Sequence, residues 1–237
     1  MGLLENVKRG RESNPPRLLI YGTEGVGKST FAAGAPKPIF IQTEDGLGEI
    51  DCDKFPLARA FDDVMKSIEA LYTEPHDYGT VVVDSVDWLE RLIWDRVCRD
   101  FPVKYNSIEK VDGGYGKGYV HALTHWREFL TALNGLRHEK QMVVILIGHT
   151  KIEKFEEPGS PAFDRFSPKV HKHAAAMLVE WSDAVLFAGS ETDVSTKEKK
   201  RLLKAVSGQS FVAKNRYHLP EKLPLSWNDL VGCMAQS

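Results

Sequence analysis

Gly22-Thr23-Glu24-Gly25-Val26-Gly27-Lys28-Ser29 fills every fixed position of the pattern G-x-x-x-x-G-K-[ST]. Each fixed residue has a chemical reason. The glycines let successive backbone N–H groups wrap a phosphate with no Cβ in the way. Lys28 is placed to reach the β- and γ-phosphates of a nucleotide, and the Ser29 hydroxyl to ligate Mg²⁺. The phosphate cradle is therefore expected over residues 22–29, with Thr30 beside it. The pattern carries meaning only between a strand and a helix. Arg17–Tyr21 (RLLIY) reads as the strand before it, and a helix starts near Lys28.

Outward from this loop the chain alternates. Pro38–Thr43 (PIFIQT), Thr80–Val83 (TVVV), Met142–Ile147 (MVVILI) and Asp183–Ala188 (DAVLFA) read as short, continuously apolar strands. Apolar residues at helical spacing over 61–73, 86–97, 120–137 and 171–180 separate them. Such strands, divided by helices, imply a parallel sheet covered on both faces. Arg201–Val206 and Phe211–Lys214 read as a hairpin around Ser207-Gly208-Gln209. The expected fold class is α/β: a mostly parallel central sheet flanked by helices, with an antiparallel C-terminal hairpin extension. Residues 1–16 read as an arm ending in Pro15-Pro16, and residues 17–237 as a single domain. Two long loops stand out, 101–119 with the run GGYGKG and 151–168 with Pro158, Pro161 and Pro168.

Composition excludes other classes. With 42% hydrophobic and 27% charged residues, the chain is neither disordered nor fibrous. Its 237 residues suffice to bury a core without disulfides or structural metal. No apolar run approaches the roughly 20 residues of a membrane span, so no membrane partner is expected. The N-terminus has no apolar stretch resembling a signal peptide. Cys52, Cys98 and Cys233 are few, odd in number and far apart, which fits a reducing cytoplasm. The net charge of −2 excludes coating of nucleic acid by bulk charge, so any such contact must come from local loops.

Asp84 closes the strand TVVVD, the pattern in which a carboxylate supports the metal. Glu44 follows the second strand and is the best-placed acid to activate water. Spacing alone leaves it equally a solvated loop acid beside Asp45.

The loop, the run Phe40-Ile41-Gln42-Thr43-Glu44-Asp45-Gly46-Leu47 and the Asp84 strand together resemble the RecA-type ATPase core. The resemblance implies ATP and Mg²⁺ as ligands and Glu44 as the base that activates water. It also implies a γ-phosphate sensor at the end of the fourth strand. There RecA-like proteins often carry Gln, and this chain has His149; a structural histidine is the alternative. Ala213-Lys214-Asn215-Arg216-Tyr217 resembles the late basic motif of the hexameric-helicase and KaiC branch. By that likeness Lys214 and Arg216 are fingers reaching a neighbouring subunit's phosphate, against the alternative of a basic surface strand.

The arrangement over residues 17–227 is most similar to small phage nucleotide-binding proteins, some of which act as single-strand-annealing recombinases. It implies a homo-oligomer, ring or filament, in the bacterial host cytoplasm, acting on single-stranded DNA in phage recombination. The loops after the third and fourth strands would hold the DNA. Lys104, Tyr115, Lys117 and Tyr119 in the first, with Lys154, Arg165, Phe166 and Lys169 in the second, combine charge for phosphates with rings for stacking. A single-strand-binding protein is a further expected partner. The alternative function is an accessory module that clamps DNA or that protein and hydrolyses ATP little.

Overall fold

The computed structural model describes residues 4, 7, 9, 10, 14–156, 161–192 and 197–235. Most of the expected N-terminal arm, the middle of the expected 151–168 loop and part of the charged run after Thr192 lie outside the described residues.

Five strands build the parallel centre: β1 (Arg17–Gly22), β2 (Pro38–Gln42), β4 (Thr80–Asp84), β5 (Val143–Phe155) and β7 (Ala184–Thr192). The two-residue β3 (Asp53–Lys54) extends one edge in parallel. At the other edge β8 (Lys199–Lys204), β9 (Lys214–Asn215) and β10 (Lys222–Pro224) run antiparallel. The path through the sheet is β10-β8-β7-β1-β5-β4-β2-β3. β1 thus lies between β5 and β7, and β5 separates it from β4.

Strand residues point alternately to the two faces. Leu19, Tyr21, Ile39, Ile41, Val81, Val83, Val144 and Leu146 face one core. It is covered by α2 (Phe61–Thr73), α3 (Val86–Asp100), α4 (Lys117–Glu139) and α5 (Lys172–Trp181). Leu18, Ile20, Phe40, Val82, Ile145 and Ile147 face the other core. There α1 (Lys28–Ala33) and α6 (Trp227–Met234) close over them, with Phe31 packed edge-to-face on Trp227. Burial on both faces is why these strands read as unbroken apolar runs.

Several expectations are corrected. Residues 151–155 and 163–168 are strand, not loop: β5 continues to Phe155 and pairs antiparallel with β6 (Phe163–Pro168), forming a hairpin. The residues after Gly148 (HTKIEKF) are mostly polar or charged and half-buried to exposed, which suits a two-stranded ribbon better than a buried strand. The antiparallel C-terminal extension is present, but its two expected strands do not pair with each other. β8 pairs with β7 and β10, whereas β9 pairs with the opposite end of β7. In the first loop, α4 begins at Lys117, and a 3-10 segment, Ile108–Gly113, is buried through Ile108 and Val111. The glycines there serve a turn, with Gly113, Gly114 and Gly116 all at positive φ.

One carboxylate ties the base of the sheet. Asp183, just before β7, accepts from the Arg17 backbone N–H (3.1 Å), Arg17 Nε (3.2 Å) and Arg17 Nη2 (2.8 Å). Arg137 Nη2 (3.2 Å) and Arg216 Nη1 (3.3 Å) add two further donors. Arg137 Nε also donates to Pro15 O, so the chain before β1 is fixed to α4. Burial alone would raise the Asp183 carboxyl, but its bonds to Arg17 hold it below the ordinary carboxylate range. Its contribution to stability is therefore complete above the ordinary value of about 3.9 and lost as pH falls through the lower folded value. Asp183→Asn should destabilise by about 3–5 kcal/mol, because it strands buried guanidinium groups. It should also flatten the acid limb of stability against pH. Urea unfolding over an acidic pH series measures both effects; an unchanged midpoint and slope would refute the clamp.

Candidate nucleotide-binding site

The register of β1 decides where the phosphate loop emerges. Gly22 sits beside His149 on β5 and Ala188 on β7. A Cβ at Gly22 would lie 2.1 Å from the Ala188 carbonyl oxygen, so the close approach of β7 demands glycine there. Gly27 adopts φ 104° immediately before α1, a conformation costly for any other residue. Val26 is buried, while Thr23, Glu24 and Gly25 line the exposed rim of the loop.

Lys28 is buried, and its Nζ donates to Gly22 O (3.2 Å) and Thr23 O (3.0 Å). Its ammonium is held at the mouth of the loop. Burial pushes its pKa down, opposed by the nearby charges of Asp84, Asp87 and Glu44. Ser29 Oγ donates to Asp84 Oδ2 at 2.6 Å. Asp84 is buried, and burial pushes its carboxyl up, although the bond from Ser29 and the charge of Lys28 oppose that.

β2 and β4 are stitched at this end. Thr43 Oγ1 donates to Ser85 O (2.7 Å) and accepts from Ser85 N (2.8 Å), while Thr43 N donates to Asp84 O (2.8 Å). Those bonds turn the chain so that Glu44 faces the same cleft. Burial raises the Glu44 carboxyl, His149 opposes that, and Asp84 and Asp87 add to it.

His149 faces this cleft from β5. Its Nε2 lies 3.8 Å from Glu44 Oε1. Its Nδ1 is 3.0 Å from Asp87 Oδ2 and 3.1 Å from Oδ1, and its backbone N–H donates to Asp87 Oδ1 at 3.0 Å. Lys28, Ser29, Asp84, Glu44 and His149, all singled out by sequence, therefore converge. Asp87, buried in the first turn of α3, was missed. The signal was faint: an acid one position beyond Ser85-Val86, where an apolar helix face would favour another aliphatic residue.

Among the described residues, no three or more His, Cys, Asp or Glu side chains form a metal-holding cluster. The Ser29 hydroxyl and Asp84 carboxylate are hard oxygen donors at hydrogen-bonding distance from one another. That pair suits Mg²⁺, which takes one or two protein ligands and completes its shell with phosphate oxygens and water. The three acids Asp84, Asp87 and Glu44 outnumber Lys28 and His149, and a divalent cation would offset the excess. Beside Gly27, a cleft of about 260 Å³ is lined by Thr30, Phe31, Arg201, Leu225, Trp227 and Asn228. Arg201 and the α6 residues were also missed, because only the fold brings them next to α1.

The remaining sequence-derived residues are placed elsewhere. Lys214 donates to the carbonyls of Val179 (2.9 Å) and Glu180 (2.6 Å) near the end of α5. Arg216 bonds Asp183. Both therefore stand at the base of the sheet, opposite their own phosphate loop, with partners inside their own chain. Tyr115 is fully exposed, but Tyr119 stacks on His171 with ring centroids 4.2 Å apart, and Lys117 Nζ donates to Asp112 O (3.1 Å). Lys154 lies on the exposed hairpin opposite Asp164, and Arg165 stacks over Phe155 while bonding Ser207 Oγ (3.0 Å). The expectation that Phe166 offers a stacking face is corrected: its ring stacks on Phe187 at 5.3 Å and belongs to the core. Lys169 N donates to His149 O at 3.0 Å, which ties the end of the hairpin to the cleft.

A phosphate loop on the central strand, a Ser–Asp pair for the metal and an acid facing them define a P-loop nucleoside triphosphatase fold. Residues 14–217 match the AAA domain family, and the chain belongs to it. Membership implies a nucleotide-binding ATPase domain. The chain is also similar to the SPbeta prophage-derived uncharacterized protein YorG of Bacillus subtilis (strain 168), at 25% identity over 214 residues. That alignment covers 86% of this chain and 62% of the relative, so the chain spans less than two thirds of its length.

Lys28→Ala should weaken nucleotide binding roughly 10- to 100-fold, the loss of a hydrogen bond to a charged group, about 1.5–3 kcal/mol. Asp84→Asn should remove only the Mg²⁺-dependent part of the affinity. Titration of a fluorescent ATP analogue with and without Mg²⁺ separates the two, and equal losses in both conditions for Asp84→Asn would contradict its metal role.

Proposed function

We propose that the chain is a Mg²⁺-dependent ATPase that assembles with its own copies and works on single-stranded DNA in phage recombination or annealing, in the bacterial cytoplasm. The observation that carries the ATPase reading is the convergence of Lys28, the Ser29–Asp84 pair and Glu44 at one end of the sheet. Bound Mg²⁺ would lower the charge repulsion between phosphates and attacking water. Lys28 holds the β- and γ-phosphates. Glu44 accepts the proton as water attacks the γ-phosphorus, and the bond to the β-phosphate oxygen breaks to leave ADP and phosphate. The nucleoside is assigned to the cleft beside Gly27, where Arg201 and Leu225 supply flat and apolar contacts for a base.

The DNA role is supported by the prophage origin of the relative and by the exposed β5–β6 hairpin with Lys154 and Arg165. It is also supported by the exposed Tyr115 on its glycine turn. In an assembly, Lys214 and Arg216 would leave Glu180 and Asp183 to meet a neighbour's phosphate and stabilise charge developing there.

Glu44→Gln should abolish most turnover while leaving ATP affinity nearly intact, measured as phosphate release with and without single-stranded DNA. Turnover equal to the wild-type chain would favour a nucleotide-dependent clamp. Arg216→Ala should remove most DNA-stimulated turnover and leave ATP affinity little changed, with oligomer mass recorded in the same samples. Full stimulation in an intact oligomer would sink the finger role.

A further inference from the structure

His149 receives three contacts from a single buried carboxylate. Asp87 holds both its backbone N–H and its Nδ1, at 3.0–3.1 Å. Asp87 is 5% exposed, so water competes little for it. It is fixed within the first turn of α3, and that helix is packed on the sheet through Val86, Leu89 and Ile93. A carboxylate at Nδ1 sets the tautomer of an imidazole and leaves Nε2 as the working atom. Here Nε2 faces Glu44 at 3.8 Å, within the cleft that Lys28 enters from the other side.

We propose that Asp87 is a positioning residue for ATP hydrolysis, holding His149 with a protonated Nε2 toward Glu44 and the γ-phosphate, as the site's own second cation beside Lys28. This rests on the ATPase reading above and deepens it. The charges facing His149 are Asp87 from α3, Glu44 after β2, Lys28 from α1 and Asp84 from β4. The hydrogen bond from His149 Nδ1 to Asp87 raises the imidazole pKa, burial opposes that, and the charges of Asp87 and Glu44 raise it further. Asp87 itself is pushed up by burial, yet its bonds from His149 bring it below its ordinary value. The geometry and the charges agree on an ion pair, with Asp87 ionised and His149 protonated. As negative charge shifts during phosphoryl transfer, a fixed N–H⁺ at this position acts without reorganisation. Asp87 binds the ring and the backbone N–H of His149. It works through His149.

The test uses the full chain with Asp87→Asn, His149→Gln and the double substitution. Single-turnover hydrolysis is measured across the neutral pH range, together with Mg-ATP affinity and a histidine NMR titration. The His149 resonance is identified by its loss in His149→Gln. Asp87→Asn should slow hydrolysis about 10- to 100-fold, as loss of a ligand-orienting partner does elsewhere, with ATP affinity little changed. In the wild-type chain the rate should fall as pH rises through the raised pKa of His149. That limb should move to lower pH in Asp87→Asn and vanish in His149→Gln, and the double variant should be no slower than His149→Gln alone. An unshifted profile, or single losses that multiply in the double variant, would overturn the proposal. If Asp87→Asn fails to fold, His149→Gln with Asp87 intact carries the kinetic test through the loss of the same limb. If the wild-type chain does not hydrolyse ATP, the ATPase reading fails and the NMR titration decides this one separately. His149 should then titrate above the ordinary value of about 6.5 and respond to a non-hydrolysable ATP analogue but not to ADP. An ordinary titration, or the same response to both nucleotides, overturns the proposal.

Discussion

The constraint on which the site depends is the register of β1 between two parallel neighbours. Gly22 is the last residue of a strand hydrogen-bonded on both sides, and β7 approaches so closely that a single methyl group there would collide with the Ala188 carbonyl. The chain must therefore leave the sheet at Gly22, and it leaves toward the end where β2, β4 and β5 also finish. Because β5 lies between β1 and β4, its last buried residues stand between the phosphate loop and the Asp84 strand. His149 occupies that gap. A sheet in which β1 paired directly with β4 would have no strand there to carry a third functional group.

Electrostatics follows from the same geometry. Four parallel strands and the buried start of α3 bring Asp84, Asp87 and Glu44 into a poorly hydrated space with Lys28 and His149. Burial drives the pKa values of Asp84 and Glu44 up and that of Lys28 down, toward neutral forms. Opposite charges close by counter that drift, Lys28 for Asp84 and His149 for Glu44, so the groups are electrostatically linked. An arrangement of this kind suits charged ligands: an anion against Lys28 and, in the proposed ATPase, a cation against Asp84. At the opposite end of the sheet the signs reverse, with Arg17, Arg137 and Arg216 sharing the one carboxylate of Asp183.

What the sequence revealed and what it concealed divide along physical lines. The phosphate loop was legible because its glycines and Lys28 satisfy local backbone chemistry, which spacing records. The parallel strands were legible because burial on both faces leaves only apolar residues. Asp87 and Arg201 were not, since each acquires its role from a partner more than sixty residues away or from a helix that sequence periodicity did not flag. The hairpin after Gly148 was misread for a different reason. Prolines at 158, 161 and 168 suggested a loop, but Pro168 is tolerated as the last residue of a strand whose outer edge needs no hydrogen bonds. Phe166 shows the same limit in reverse, because an aromatic residue in a basic stretch looks available for stacking until the fold places it on Phe187.

α3 gives these separate observations a common support. Asp87 and Glu90 lie one turn apart on its buried face, and both end on the chain around the hairpin. Asp87 holds His149, which itself accepts the Lys169 N–H, while Glu90 accepts the His171 N–H through both oxygens at 3.0 and 2.9 Å. Burial pushes Glu90 up to about 7, with the His171 bond opposing it, so this second grip is made by a carboxyl that is half protonated near neutrality. Tyr119, at the start of α4, stacks on the same His171. One helix therefore anchors His149 in the cleft, the return of the β5–β6 hairpin and, through His171, the start of α4 just after the glycine turn that carries Tyr115. The β5–β6 hairpin and the start of α4 are joined to the nucleotide cleft through Asp87, Glu90, His149, Lys169, His171 and Tyr119, not through a long path across the core.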